Sequence, residues 1–69
     1  MKQNVLISNI TGDPLRIGDW VTSFRGEQGV LLAMQAPLHE GSTGRVTVRT
    51  QGGMNEWFPA VIDAQWEIR

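Results

Sequence analysis

Gly18-Asp19-Trp20-Val21, followed by Gly26-Glu27-Gln28-Gly29-Val30, is the stretch that decides the fold. A Gly-Asp turn feeds a strand. A glycine-flanked turn then returns the chain into the apolar run Val30-Leu31-Leu32-Ala33-Met34. Glycine accepts positive φ at such reversals without steric cost, so Gly26 and Gly29 are expected in turn conformations. Leu15–Phe24 is expected as one strand and Val30–Gln35 as the next. The unbroken apolar run points to burial of that second strand on both faces, or to one face in the core and the other in a partner. Ala36-Pro37 ends it, because proline cannot donate to a ladder.

The same punctuation continues downstream. Leu38–Gly44 is a polar loop, and Arg45-Val46-Thr47-Val48-Arg49 alternates with its valines inward. Gln51-Gly52-Gly53-Met54 is expected as a hairpin turn and Asn55–Phe58 as a strand. Pro59-Ala60-Val61-Ile62 suits a single 3₁₀ turn, with proline at its first position. Ala64–Arg69 is the last strand, with Trp66 and Ile68 sharing a face. Upstream, residues 1–14 form a lead-in or edge strand that ends at Thr11-Gly12-Asp13-Pro14. With no helical period anywhere, the chain reads as all-β. The expected organisation is a single barrel of about five short antiparallel strands over residues 15–69, with one 3₁₀ turn before the last strand.

Composition bounds the function. Sixty-nine residues make one domain, and a domain of this size buries only about 60% of the surface that its unfolded chain exposes. Cysteine is absent and His39 is the single histidine, so neither a disulfide staple nor a thiolate or polyhistidine metal site is expected. A formal net charge of −1 does not favour bulk electrostatic binding of nucleic acid. No apolar run approaches the ~18 residues of a membrane-spanning helix, so no membrane partner is expected. The apolar part of the N-terminus, Val5-Leu6-Ile7, is too short for a signal peptide, which makes the cytoplasm the expected location.

The order of strands and turns resembles the SH3-like barrel. Within that fold, Gly18-Asp19-Trp20-Val21 with Gly26 and Gly29 resembles the KOW-type motif of transcription and ribosomal proteins, which implies nucleic-acid binding. The Gly-Asp-x-Val start and Phe58-Pro59 also resemble the plasmid-borne type II dihydrofolate reductases, tetramers that bind NADPH in a central pore. Here Glu56 and Trp57 stand where that family has glutamine and isoleucine, and a ring of glutamates would repel the folate tail. The most extensive resemblance is to small phage and mobile-element proteins. It rests on Gly18-Asp19-Trp20-Val21, Gly41-Ser42-Thr43-Gly44-Arg45-Val46-Thr47-Val48 and Trp57-Phe58-Pro59, and it implies an origin rather than a chemistry.

Candidate chemistry is sparse. Gly41-Ser42-Thr43-Gly44-Arg45 has the residues of an anion-binding loop but opens a strand, so a plain loop is the simpler reading. Adjacent side chains such as His39 and Glu40 point apart and suit an exposed loop better than a base with its partner. The tryptophans carry more. With Val21 and Phe58 inward, Trp20 and Trp57 face outward, and exposed aromatics mark interfaces. Arg45 and Arg49 project beside Thr47. The sequence therefore predicts a non-catalytic interaction module with no cofactor. It would bind a protein partner or sister subunits through Trp20, Phe24, Arg45, Arg49 and Trp57. A KOW-like nucleic-acid binder and a pore enzyme are the alternatives.

Overall fold

The computed structural model describes residues 2–69. Six strands and one 3₁₀ turn follow in order: β1 (Asn4–Ser8), β2 (Trp20–Thr22), β3 (Gln28–Gln35), β4 (Arg45–Thr50), β5 (Gly53–Trp57), the 3₁₀ turn (Pro59–Ile62) and β6 (Ala64–Ile68). β2-β3-β4-β5 form one antiparallel sheet, and β1 pairs with β6 in a second. The all-β class and the 3₁₀ turn before the last strand stand as the sequence predicts.

The two sheets close on one core. Leu31, Val46 and Val48 are fully buried, joined by Leu6 from β1, Val21 from β2, Ile62 from the 3₁₀ turn and Ala64 from β6. Every element except β5 supplies one or two of these buried side chains, and Leu15, Met34, Trp66 and Trp57, the last from β5, pack around them. Leu6 makes the first fourteen residues more than a covering edge, because β1 supplies part of the core and hydrogen-bonds along β6. The far edge of β1 is covered in turn, where the amide of Leu15 donates to the carbonyl of Leu6 at 2.8 Å.

Three local expectations need correction. The strand expected over Leu15–Phe24 shortens to Trp20–Thr22, because the residues before it form a turn. The Asp19 carboxylate accepts from the Arg16 amide at 2.8 Å, and the Gly18 amide donates to the Leu31 carbonyl at 2.7 Å. Short aspartate side chains favour such local backbone bonds over ladder pairing. Gly26 has φ 87°, as a turn requires, but Gly29 lies within β3, opposite Val21 and Thr50. A Cβ there would sit 2.8 Å from Val48 Cγ1 and collide with the Arg49 carbonyl, so close approach of β3 and β4 is what requires this glycine.

The third correction concerns the apolar run. β3 is not buried on both faces. Leu31 opposes Val48 and Ala33 opposes Thr47, so Leu32 is an extra residue, a β-bulge. The bulge resets the alternation. Leu31 and Met34 both turn toward the core, while Leu32 reaches the surface at 36% exposure. Consecutive apolar residues therefore mark a change of phase here, not double-sided burial.

Two buried serines hold the turns. Ser8 Oγ accepts from the amides of Ile10 and Thr11 at 3.2 and 3.4 Å, and Ser23 Oγ from those of Arg25 and Glu27 at 3.2 and 3.1 Å. Gly44 anchors the long loop before β4. It has φ 67°, and a Cβ there would lie 2.7 Å from Trp66 Nε1 and collide with the Gln35 carbonyl. Gly41, at φ 89°, faces open space. Gly41→Ala should therefore cost only backbone strain, about 1 kcal/mol, since the left-handed penalty is ~1–2 kcal/mol. Gly44→Ala adds overpacking of ~1–3 kcal/mol and should cost about 3 kcal/mol in total. Urea denaturation of the two variants, at unchanged m-value, measures the difference.

Candidate binding surface

β-pairing aligns four residues across the outer face of the larger sheet. Trp20 of β2 opposes Val30 of β3, Val30 opposes Arg49 of β4, and Arg49 opposes Met54 of β5. Alternation keeps this row on the outer face while its neighbours Val21 and Val48 enter the core. Trp20 is 63% exposed and Met54 71%, with Val30 half-buried between them and Arg49 exposed. Trp20, Val30 and Arg49 line a shallow cleft of about 760 Å³ together with the polar side chains of Glu27, Gln28, Gln51 and Asn55, and Met54 lies outside it. Trp20 and Arg49, two of the expected residues, are thus brought together.

The other expected residues are not. Phe24 is 75% exposed but sits at the β2–β3 turn, where its amide donates to the Val61 carbonyl of the 3₁₀ turn and Arg25 lies 5.3 Å from its ring centroid. Arg45 lies 4.1 Å from the centroid of Phe58 and 3.8 Å from a Glu56 carboxylate oxygen, at the opposite end of β4 from Arg49. Trp57 faces inward. It opposes Val46, which is fully buried, and packs against the core. The expectation that Trp57 points out with Phe58 inward is therefore reversed. The cause is the β4–β5 turn, which contains only Gln51-Gly52, so β5 begins at Gly53 and Met54 is a strand residue. Phe58, preceding Pro59, has left the ladder at φ −71°, ψ 148° and is half exposed.

Met54 and Val30 are the surface residues that sequence reasoning did not select. Counting the register from Thr50 opposite Gly53 would have placed Met54 opposite Arg49. Alternation places Phe58 in the core, although the following proline signals that the strand has ended.

The loop motifs resolve as structural. Ser42 Oγ accepts from the Gly44 amide at 3.3 Å, and Trp66 Nε1 donates to the Thr43 carbonyl at 2.9 Å. These contacts use the loop to hold β6, not to present amides to an anion. His39 Nδ1 lies 2.9 Å from the Glu40 carbonyl, a backbone contact rather than an imidazole–carboxylate pair. Among the described residues, no group of three or more His, Cys, Asp or Glu side chains is arranged to hold a metal ion. Three exposed ion pairs, Arg25–Glu27, Arg45–Glu56 and Arg69–Glu67, engage three of the arginines. Arg49 belongs to none of them.

Comparison with protein families, with curated proteins and with solved structures finds no match to this chain.

The geometry separates two tryptophans that look alike in the sequence. Trp20→Ala should change stability by no more than about 0.5 kcal/mol, as surface substitutions do. Trp57→Ala should cost about 2 kcal/mol, below the ~3–5 kcal/mol of a fully buried tryptophan because the ring is only half-buried. Equilibrium unfolding of both variants, with iodide quenching of the remaining fluorescence, tests the assignment.

Proposed function

We propose that the chain is a non-catalytic interaction module. It binds a protein partner through the row Trp20–Val30–Arg49–Met54. The observation that carries this reading is the exposure of Trp20 at the end of a half-apolar row on a sheet face. A tryptophan on a face that the fold itself does not cover is costly to leave in water. Trp, Arg and Met are the residue types that concentrate at protein interfaces. Arg49 supplies direction, since it belongs to none of the ion pairs and its planar guanidinium suits bidentate pairing with a carboxylate. The fitting partner surface presents an apolar side chain to Trp20 and Met54 and an acidic group to Arg49.

Net charge favours this over nucleic-acid binding. The chain carries −1 overall, and three of its arginines are already matched by glutamates, which leaves few cations to release phosphate counterions.

Selection of peptides from a random display library against the purified chain tests the proposal. Enriched peptides should contain an aromatic or aliphatic residue near Asp or Glu. They should shift the amide resonances of Trp20, Val30, Arg49 and Met54, and bind at least ~10-fold more weakly to Trp20→Ala and to Arg49→Ala, the scale of a hot-spot residue. No enrichment, or peptides that map to another face, would overturn it. So would tight, salt-dependent retention of single-stranded oligonucleotides by the same row.

A further inference from the structure

Strand pairing leaves one edge of the larger sheet open. β5 ends the order β2-β3-β4-β5 and has a neighbouring strand on one side only. Which of its backbone groups face outward follows from Leu31. The Leu31 amide donates to the Asp19 carbonyl and its carbonyl accepts from the Gly18 amide, so both point toward the β2 side of β3. In an antiparallel sheet, successive residues direct their backbone groups to opposite sides of the strand. Val30 therefore bonds toward Arg49 of β4, while Thr50, Val48 and Val46 bond toward Gly53, Asn55 and Trp57 of β5. The amides and carbonyls of Met54 and Glu56 are left facing away from β4. Among the described residues, no backbone group outside the ladder bonds to them.

The same edge leaves an aromatic side chain partly uncovered. On the inner face Trp57 lies opposite Val46 and Asn55 opposite Val48. Both valines are fully buried, yet Trp57 and Asn55 are only half-buried, because β5 has no strand beyond it. Edges are commonly blunted by proline, lysine or a bulge. Gly53–Trp57 contains no proline or lysine and pairs with β4 without a register shift. The opposite edge, β2, has three residues, and just past it the Phe24 amide is already bonded to the Val61 carbonyl.

A second copy of β5 fits this edge badly. In a two-fold antiparallel pairing, Met54 and Glu56 must face each other or themselves. Glu56 against Glu56 opposes like charges, which destabilises a sheet. Met54 against Glu56 sets Gly53, which has no side chain, beside Trp57. Met54 against Met54 sets Trp57 beside Gln51 of the hairpin turn. A strand of different sequence escapes all three.

We infer that β5 accepts an extended strand of a partner protein, antiparallel to it and held by the backbone groups of Met54 and Glu56, with an aliphatic side chain of that strand laid on Trp57. The inference rests on the proposed capture of a protein partner and adds how that partner is held. The partner residue opposite Met54 prolongs the row Trp20–Val30–Arg49–Met54 by one strand. In strand addition, main-chain bonds supply affinity and the flanking side chains select the sequence.

Amide hydrogen exchange and NMR titration of the full chain provide the test. The probe is a capped peptide of alternating threonine and valine with a lysine at each end. In the free chain the Met54 and Glu56 amides should exchange fast and the Asn55 and Trp57 amides slowly. The peptide should slow exchange at Met54 and Glu56 and give cross-relaxation between valine methyls and the Trp57 indole. A copy of the peptide N-methylated along its length keeps the side chains but has no backbone donors, and it should not bind. Met54→Pro removes an outward N–H that the β4 ladder does not use, so the fold should persist. Peptide binding should weaken at least ~5-fold, the worth of one backbone hydrogen bond. Trp20→Ala should leave binding of this peptide unchanged. Absence of binding, equal binding of the N-methylated copy, or protection of Met54 and Glu56 without peptide, as self-pairing would give at high chain concentration, would overturn the inference. Display-selected peptides that still map to the Trp20 row would then leave the proposed function standing. Strand addition at β5 with no selected peptide touching Trp20 would instead overturn the row and not the edge.

Discussion

Leu31 is gripped from two sides, and the rest of the structure is arranged around that grip. Its amide donates to the Asp19 carbonyl at 2.9 Å and its carbonyl accepts from the Gly18 amide at 2.7 Å. Its side chain is fully buried among Val21, Val46, Val48 and Ile62. The Gly-Asp turn is therefore bonded directly to the centre of the core strand. The bulge at Leu32 follows immediately and brings Met34 back inward, so one strand serves the core along most of its length. A domain this small has few buried side chains to share its stability. Every element that leaves Leu31's surroundings must still return an apolar residue to them, and each does.

That constraint explains the polar arrangement of the turns. A small core cannot tolerate unpaired buried groups, because each costs about 1–3 kcal/mol. Among the described residues no buried side-chain nitrogen or oxygen lacks a partner. Ser8 and Ser23 are the buried polar residues, and both spend their hydroxyls on amides of the turns that follow. On the surface, the side-chain amide of Asn9 donates to the carboxylate of Asp63, whose φ of 53° ends the 3₁₀ turn. The turns are consequently held by short polar side chains at the strand ends.

Much of this was legible in the sequence, and the part that was not has a common cause. Valines at 46 and 48, the 3₁₀ turn at Pro59 and the outward Trp20 follow from period-two alternation and proline geometry, which are local rules. The orientation of Trp57 depends on where β5 begins, and a shift of one residue in a hairpin turn exchanges the two faces of a strand. Gln51-Gly52-Gly53-Met54 offers two glycines and does not say which of them turns. The bulge at Leu32 is invisible for a similar reason, because it is specified by a pairing distant in sequence, Leu31 with Val48. Local chemistry placed the elements, whereas register decided which aromatics are free.

Register also determines what the surface can do. The outward Trp20 and Arg49 lie in one row because four strands pair through consecutive opposite positions. Arg45 lies four residues from Arg49 on the same strand, yet it is drawn over Phe58 and toward Glu56. An alternating strand with two arginines looks like a single cationic stripe. In the folded chain one arginine is stacked and matched, and the other is left unmatched beside an exposed indole. Exposed ion pairs of this kind add little stability, at most about 1 kcal/mol each. Their larger effect is to match Arg25, Arg45 and Arg69 with neighbouring glutamates while Arg49 stays unmatched. Of the cations outside these pairs, Lys2, Arg16 and Arg49, it is Arg49 that register sets in the row of the exposed Trp20, which is the premise of the proposed protein-binding role.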